Sequence, residues 1–314
     1  MTLTTILGAG GPISNELVKI LSADATPLRL VSRNPRPAAH GTEALAADIT
    51  DQQQAIRAVA GSSTVHLLIG LKYDVKVWQE LWPRVMANTI EACKRTGAKL
   101  LFFDNVYMYG KVNGPMTEET PYAPVSKKGE IRARIATTLL EEVKRGRLTA
   151  MIARAADFYG PSDAGHGLPN VLVFEPIAKG ARAQWLINDS APHSLTFTPD
   201  AARGLAMLAQ RDSAWNQVWH LPTYAPAPTG KEFIEMATQA FGVKSKYRIL
   251  NRGMIRVGGW FNPLVGELSE MLYQNDSPYV FDSTKFARAL GFAGTPYADG
   301  IRIAAASYRG AQPV

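Results

Sequence analysis

The sequence predicts an α/β fold in which a doubly wound parallel sheet carries a smaller, mainly helical C-terminal lobe. Strand-like apolar runs alternate with amphipathic segments up to about residue 160. A glycine-rich turn separates the first strand from the first helix. Beyond Gly160 and Pro161, proline and glycine become frequent and helical segments appear without partner strands. This change indicates a lobe over the carboxyl ends of the strands, where ligands bind in such sheets.

The turn between the first strand and the first helix is suited to phosphate groups. Residues 2–7 have the apolar character of a buried strand, and the segment from Asn15 to Leu21 has a helical apolar face. Between them lie Gly8, Gly10, Gly11, Pro12 and Ile13. Glycines let the backbone approach a pyrophosphate, and a helix N-terminus offers free N–H groups and a positive dipole end. These five residues therefore predict a Rossmann-type dinucleotide site.

The residues after the second strand bear on which dinucleotide binds. This strand covers residues 28–31 and is followed by Ser32 and Arg33, with no acidic residue in their place. An acidic side chain there favours the ribose 2′-hydroxyl of NAD, whereas an arginine suits the 2′-phosphate of NADP. We therefore predict NADP in preference to NAD, with Ser32 and Arg33 at the adenosine ribose. The alternative is that Arg33 is a solvated loop residue, or that it stacks on adenine without selecting the cofactor.

The β–α alternation continues without a repeat or a low-complexity linker. Further strands are predicted at residues 43–48, 64–70, 98–103, 148–153 and 216–221, and helices at residues 52–60, 75–96, 126–146 and 171–179. We assign residues 1–165 to a dinucleotide-binding domain that is completed by about residues 195–225. Residues 166–194 and 226–314 are then the substrate-binding lobe and C-terminal helices.

Composition excludes several classes of function. The 314 residues carry a net charge of +7, but lysine and arginine form no dense run, so no nucleic-acid partner is expected. Cys93 is the single cysteine, which excludes an internal disulfide and a cysteine metal cluster, and no metal site is predicted. The N-terminus lacks the basic region of a signal peptide, and no run of about 18 apolar residues occurs. We therefore expect a cytoplasmic protein without a membrane partner.

Motifs further along the chain extend the pattern of the glycine turn. They are Asp48-Ile49, the segment 106–110 after the predicted fifth strand, the segment 154–161 and the segment 197–202. Together with the turn, they resemble the extended short-chain dehydrogenase/reductases, the NAD-dependent epimerase/dehydratase superfamily, over almost the whole chain. The resemblance implies that Asp48 and Ile49 contact adenine and that a nicotinamide dinucleotide takes part in the reaction.

The catalytic signature of that superfamily is altered in this chain. Its members use Ser or Thr at the end of the fifth strand and a Tyr-x-x-x-Lys pair on the next helix, which places both side chains on one helix face. Here the strand ends in Asp104 and Asn105, while Lys128 and Arg132 take the positions of the pair. The chain therefore resembles an atypical branch, and the superfamily's catalytic residues are not carried over to it.

Other residues near the carboxyl edge of the sheet are candidates to replace the missing tyrosine. Tyr107 and Tyr109 follow the fifth strand, and a phenol there is expected to act as a proton donor if the cation of Lys128 or Arg132 lowers its pKa. Lys128 can act as an acid or a base if it is desolvated. Asn105 and Arg132 are expected to contact the cofactor, Arg132 by holding ribose or phosphate. The alternatives are ordinary packing for the tyrosines and a solvated helix face for the two cations.

Four residues are candidates for substrate contact, with core packing as the alternative for the aromatic ones: Asp104, Tyr159, Trp185 and His193. The predicted function is an NADP(H)-dependent oxidoreductase acting on a small organic carbonyl compound or alcohol. The alternatives are a nucleotide-sugar epimerase or dehydratase, and a non-catalytic NADP-binding sensor or scaffold. Helices 75–96 and 126–146 could form a homodimer, or could cover the sheet of a monomer.

Overall fold

A parallel sheet of seven strands forms the centre of the molecule. The computed structural model describes residues 2–36, 42–161 and 167–309. Its strands are β1 (Leu3–Leu7), β2 (Leu28–Ser32), β3 (Thr42–Ala46), β4 (Ser62–Leu67), β5 (Lys99–Asp104), β6 (Ala150–Arg154), β7 (Asp157–Tyr159), β8 (Ala183–Leu186), β9 (Leu195–Phe197), β10 (Val218–His220) and β11 (Tyr247–Leu250). The order β10-β6-β5-β4-β1-β2-β3, with every neighbouring pair parallel, confirms the doubly wound sheet.

Helices cover both faces of this sheet and make up most of the lobe. The helices of the chain are α1 (Pro12–Ala23), α2 (Gln52–Val59), α3 (Val75–Thr96), α4 (Lys127–Lys144), α5 (Glu175–Ala178), α6 (Thr198–Ala209), α7 (Gly230–Phe241), α8 (Arg252–Phe261), α9 (Pro263–Leu268), α10 (Thr284–Leu290) and α11 (Tyr297–Arg309). Trp82 of α3 and Ile135 of α4 pack with Phe102 on one face. Leu17 of α1 and Leu205 of α6 belong to the core of the other face. Within the described ranges, none of the helices is long and apolar enough to cross a bilayer.

Capping residues fix where the helices near the carboxyl edge begin. The carboxylate of Asp74 accepts hydrogen bonds from the amides of Lys76 and Val77, at 2.9 and 3.2 Å, and starts α3 directly after the loop that follows β4. Gly97 ends the same helix in the left-handed conformation, with φ +74°. Ser126 starts α4 by accepting the amide of Gly129 at 3.0 Å. The predicted bounds 75–96 are therefore confirmed.

Much of the chain beyond Gly160, apart from α6 and β10 of the central layers, forms a lobe with its own core. Two short parallel sheets, β8 with β11 and β7 with β9, accompany its helices. The helix predicted over residues 171–179 is present but irregular, because a π-helical turn over Asn170–Phe174 precedes the single turn of α5. Pro176 lies at the start of α5. Since proline has no amide hydrogen and its ring crowds the carbonyl four residues earlier, a regular helix cannot continue through this point.

Candidate functional site

A cavity of about 910 Å³ lies between the carboxyl ends of the strands and the lobe. Its wall takes residues that follow each of β1 to β6. The lobe contributes Gly167, Leu168, Val171, Leu172, Asn262, Leu264, Val265 and Leu268. This volume is of the size that a small molecule or cofactor occupies. Among the described residues, no group of three or more His, Cys, Asp or Glu side chains is placed to hold a metal ion.

The glycine turn opens onto this cavity. Gly8 and Gly10 have φ values of +96° and +101°, which side chains other than glycine rarely adopt. Ser14 accepts a hydrogen bond from the amide of Gly10 at 3.0 Å and donates one to the carbonyl of Gly11 at 2.9 Å, so it braces the turn where related turns carry a third glycine. A Cβ atom built at Gly10 or Gly11 would meet no atom within 4 Å. No side chain caps α1, so the turn can accept a phosphate.

The cavity wall beside the turn, formed by the segments that follow β2 and β3, carries one cation and one carboxylate. Ser32, Arg33, Asp48 and Ile49 all line the cavity here. The Oδ1 atom of Asp48 accepts hydrogen bonds from the hydroxyl and the amide of Thr50, at 2.7 and 2.9 Å. These hydrogen bonds, together with the nearby charge of Arg33, lower the pKa of Asp48. Asp48 therefore stays ionised beside an exposed guanidinium.

The end of β5 folds into a short turn that presents Tyr107 to the cavity. Asp104 accepts the amide of Asn105 at 2.9 Å, and Asn105 accepts the amide of Tyr107 at 3.1 Å. All three side chains line the cavity, as Asp157 does. Because each side chain holds the backbone of the next, the position of the Tyr107 ring is set by the end of the strand.

The ring and the hydroxyl of Tyr107 have different neighbours. The ring stacks on Trp78, with centroids 6.3 Å apart and an angle of 15° between the planes. The hydroxyl interacts with that of Tyr73. Burial, and after it the charge of Asp157, raises the pKa of Tyr107 well above its usual value. The expected lowering of this pKa by a neighbouring cation is therefore not found, because burial outweighs the charge of Arg132. The phenol is protonated at neutral pH and can donate a hydrogen bond to a ligand.

Arg132 places a buried guanidinium in the same wall. The group lies 4.1 Å from the centre of the Trp82 ring, and its Nη1 atom is 3.4 Å from Oδ1 of Asp104. Within the described part of the chain, neither Nε nor Nη1 has a hydrogen-bond partner. Burial lowers the pKa of Arg132 and raises that of Asp104, and each charge opposes the effect on the other. Buried donors without partners are rare, so the group is suited to a ligand oxygen.

Tyr109 lies outside the cavity wall. Its hydroxyl is 2.8 Å from Nε2 of His220 and accepts a hydrogen bond from Arg154 at 2.7 Å. Burial raises the pKa of Tyr109 to about 12. The two candidate tyrosines diverge because Tyr107–Tyr109 forms a 3₁₀ turn, in which residues two apart point in different directions.

Lys128 also lies outside the cavity wall and is fully buried. Its Nζ atom donates to the carboxylate of Glu267, to Oε1 of Glu270 at 2.7 Å and to the carbonyl of Glu267 at 3.2 Å. The ammonium lies 4.6 Å from the centre of the Tyr73 ring. The position that aligns with the superfamily's tyrosine is therefore occupied by a contact between α4 and the α9 region.

The remaining candidates for substrate contact lie in the lobe core or at its margin. Tyr159 is buried among aromatic rings. Trp185 donates its indole N–H to the carbonyl of Asn188 at 3.1 Å. His193 places Nε2 3.0 Å from Oδ2 of Asp157. None of the three candidates lines the cavity, and His193 reaches it only through Asp157.

Two residues of the cavity wall with titratable side chains were not among the sequence candidates, namely Tyr73 and Asp157. Tyr73 follows Gly70 in the loop after β4, and Asp157 comes shortly after β6. The signal that could have identified them is topological. The carboxyl ends of all parallel strands meet at one edge of the sheet, so the segment after every strand is a candidate for the site.

Comparison with known proteins identifies the family and the fold. The NAD dependent epimerase/dehydratase family model matches residues 4–219. A search of curated proteins finds no match. Among solved structures, gox2253 has a TM-score of 0.81 at 18% identity, covering 99% of this chain and 98% of its own. UDP-N-acetylglucosamine 4-epimerase from Bacillus cereus has a TM-score of 0.79 at 15% identity, covering 100% and 99%.

A third solved structure is similar over the same length. A double mutant of DesIV, a dTDP-glucose 4,6-dehydratase from Streptomyces venezuelae, with NAD bound, has a TM-score of 0.79 at 18% identity. The alignment covers 99% of this chain and 98% of the DesIV chain. These likenesses show the fold, and the family model covers more than half of the sequence. The chain therefore belongs to the NAD-dependent epimerase/dehydratase family.

Proposed function

We propose that the protein is an NADP(H)-dependent oxidoreductase that reduces a small organic carbonyl compound, or oxidises the corresponding alcohol. The observation that carries this proposal is the place of the Tyr107 phenol in the cavity wall, held there by the turn through Asp104 and Asn105. A phenol held in this way can supply the proton that carbonyl reduction requires.

The glycine turn and the two sides of the cavity suit a dinucleotide. The open space above Gly10 and Gly11 accepts a pyrophosphate, and Ile49 gives an apolar surface for adenine. Ser32 and Arg33 supply hydrogen-bond donors at the ribose position, where the 2′-phosphate of NADP gains a charge-assisted contact. At the other end, the donors of Arg132 that lack partners suit ribose hydroxyls.

In this proposal the chain's own residues position the carbonyl and supply the proton. Bound NADPH supplies a hydride to the carbonyl carbon. Tyr107 donates a hydrogen bond to the carbonyl oxygen and transfers its proton as that oxygen becomes an alcohol. The hydroxyl of Tyr73 interacts with that of Tyr107 and can return a proton to it. Asp157 keeps Tyr107 protonated before the transfer, because a second negative charge nearby is unfavourable.

The lobe favours a small, partly apolar substrate. We propose that residues 166–194 and 226–314 select it, since Leu168, Val171, Leu264 and Leu268 line their side of the cavity. Among the described residues of the wall, the lobe contributes no lysine or arginine. A nucleotide-sugar substrate carries a diphosphate, which proteins bind with such cations. This composition supports the oxidoreductase over the epimerase or dehydratase alternative.

The test is to measure binding of NADPH and NADH by calorimetry, followed by NADPH consumption with a panel of aldehydes and ketones. Tighter binding of NADPH and turnover of at least one carbonyl compound are expected. Preference for NADH, with turnover of a UDP- or dTDP-sugar, would support the epimerase or dehydratase instead. Binding of NADPH without turnover of any compound would support the sensor or scaffold.

A further inference from the structure

The segment between Glu235 and Glu267 has an unusual charge. It contains five basic residues and no acidic residue. The basic residues, all of them exposed, are Lys244, Lys246, Arg248, Arg252 and Arg256. Arg252 pairs with Asp276, and within the described ranges the other four enter no salt bridge. The segment therefore presents a positive charge that the rest of the described molecule does not neutralise.

The same segment holds most of the exposed apolar side chains. Ten large hydrophobic residues are exposed in the described part of the chain, and seven of them fall between positions 243 and 264. We call these seven the 243–264 surface: Val243, Ile249, Met254, Val257, Trp260, Phe261 and Leu264. Trp260 is 76% exposed and Phe261 is 83% exposed. Such a concentration of apolar area is the usual mark of an interaction surface.

Helix α8 turns apolar side chains to the solvent, unlike an ordinary helix on a protein surface. Ile255 is its one buried residue, and Gly259 packs closely against α9 through Gly266. Met254, Val257 and Phe261 are spaced by three and four residues, so they share the face away from Ile255. A helix on the surface of a globular protein normally turns its polar face to water, whereas here apolar side chains do so.

We propose that the 243–264 surface docks the protein on an anionic membrane surface. An apolar helix face inserts at the boundary between headgroups and acyl chains, and flanking arginines and lysines are attracted to anionic headgroups. A second copy of the chain fits less well, because a two-fold contact would bring the four unpaired cations of one copy close to those of the other. The expectation of no membrane partner came from the lack of a long apolar run, which a helix lying in the membrane plane does not need.

Docking in this way would set the membrane beside the cavity. Leu264 is 54% exposed and also lines the cavity, as its neighbours Asn262 and Val265 do. The membrane proposal depends on the 243–264 surface and its flanking cations, and not on the chemistry that the cavity performs. It can therefore fail or succeed independently of the oxidoreductase function.

The test is co-sedimentation of the full chain with phosphatidylcholine vesicles, with and without phosphatidylserine. We expect binding to the anionic vesicles that weakens as salt is raised. The double variant Trp260→Ser/Phe261→Ser should reduce this binding at least about tenfold. Arg248→Gln/Arg256→Gln should remove the preference for phosphatidylserine. Ile303→Ser, which changes an exposed apolar residue on α11 outside the surface, is the matched control and should bind as the unmodified protein does.

Several outcomes would overturn the proposal. One is that the unmodified protein does not bind anionic vesicles, and another is that the Trp260/Phe261 variant binds them equally well. A third is self-association that this variant abolishes, without vesicle binding, which would assign the surface to a second copy. Thermal unfolding of each variant, compared with that of the unmodified protein, shows whether a loss of binding reflects a loss of fold.

Discussion

Lys128 Nζ lies 2.7 Å from Oε1 of Glu270, and this ion pair joins two helical regions separated by 142 positions in the sequence. Glu267 strengthens the same connection, because its carboxylate contacts Lys128 and also accepts the amide of Val75 at 2.9 Å. Other residues of α9, the helix to which Glu267 belongs, line the cavity. The residue in the position of the superfamily's tyrosine thus helps to build the cavity.

Replacement of Lys128 by methionine is expected to destabilise the attachment of the α9 region. The change leaves two partly buried carboxylates without their cation, which costs about 2–3 kcal/mol. Urea unfolding measures this loss. Lys127→Met is the matched control, since its side chain is exposed on the same helix, and it should change the free energy of unfolding little. Equal losses in the two variants would contradict the role of Lys128.

Tyr107→Phe is expected to reduce kcat for carbonyl reduction about 100-fold or more, because the variant lacks the donated proton. NADPH affinity should hardly change, since the ring and its stacking on Trp78 remain. Tyr109→Phe serves as the comparison, because its hydroxyl bonds to Arg154 and His220 outside the cavity. If Tyr109→Phe instead lost turnover while Tyr107→Phe kept it, the proton donor would have been assigned to the wrong tyrosine.

Arg33→Ala is expected to weaken NADPH binding about 10–100-fold while leaving NADH binding nearly unchanged. The reason is that only NADPH carries a 2′-phosphate, and a charge-assisted contact to it contributes about 1.5–3 kcal/mol. Calorimetric titration of both dinucleotides measures the difference. Arg57→Ala, on the exposed side of α2 and away from the cavity wall, controls for the loss of one positive charge. A similar loss for NADH would mean that Arg33 contacts adenine rather than the phosphate.

His66 is expected to make stability fall in mild acid. Burial within β4 lowers the pKa of His66 to about 4, whereas the unfolded side chain titrates near 6.5. The unfolded chain therefore binds more protons between these values, and the free energy of unfolding decreases as pH falls through this window, by up to about 1.4 kcal/mol per pH unit. His66→Leu removes this contribution.

Urea unfolding at pH 7 and pH 5 measures the effect. The His66→Leu variant should lose less stability between the two pH values than the unmodified protein. Both proteins retain buried His220, whose pKa is lowered to about 3 by burial, so a common residual slope is expected. Identical slopes in the two proteins would show that His66 does not contribute.

The sheet and the glycine turn could be predicted because their signals are local. Apolar runs and the glycines Gly8 and Gly10 each act within a few residues of the structure that they determine. The π-helical turn before Pro176 was missed because proline changes hydrogen bonding one turn before its own position. A pattern of apolar spacing does not contain that information.

The candidate site was harder to predict, because it depends on the direction of each side chain and on contacts between residues far apart in the sequence. The sequence places Tyr107 and Tyr109 equally close to the end of β5, and only the conformation of the turn separates one from the other. Lys128 was considered as an acid or base, but its partners Glu267 and Glu270 lie too far along the chain for any local pattern to reveal. Likewise, Tyr73 enters the cavity wall through the packing of the loop after β4.

The cavity is lined partly by residues that the family model matches and partly by residues that it does not match. The family match ends at residue 219, whereas α8, α9 and the 3₁₀-helical segment Ser269–Asn275 come later in the chain. The part of the cavity wall that α9 contributes therefore lies outside the range that the family model matches. A chimaera that replaced residues 243–276 would keep the glycine turn, and its incoming segment would need carboxylates to meet Lys128.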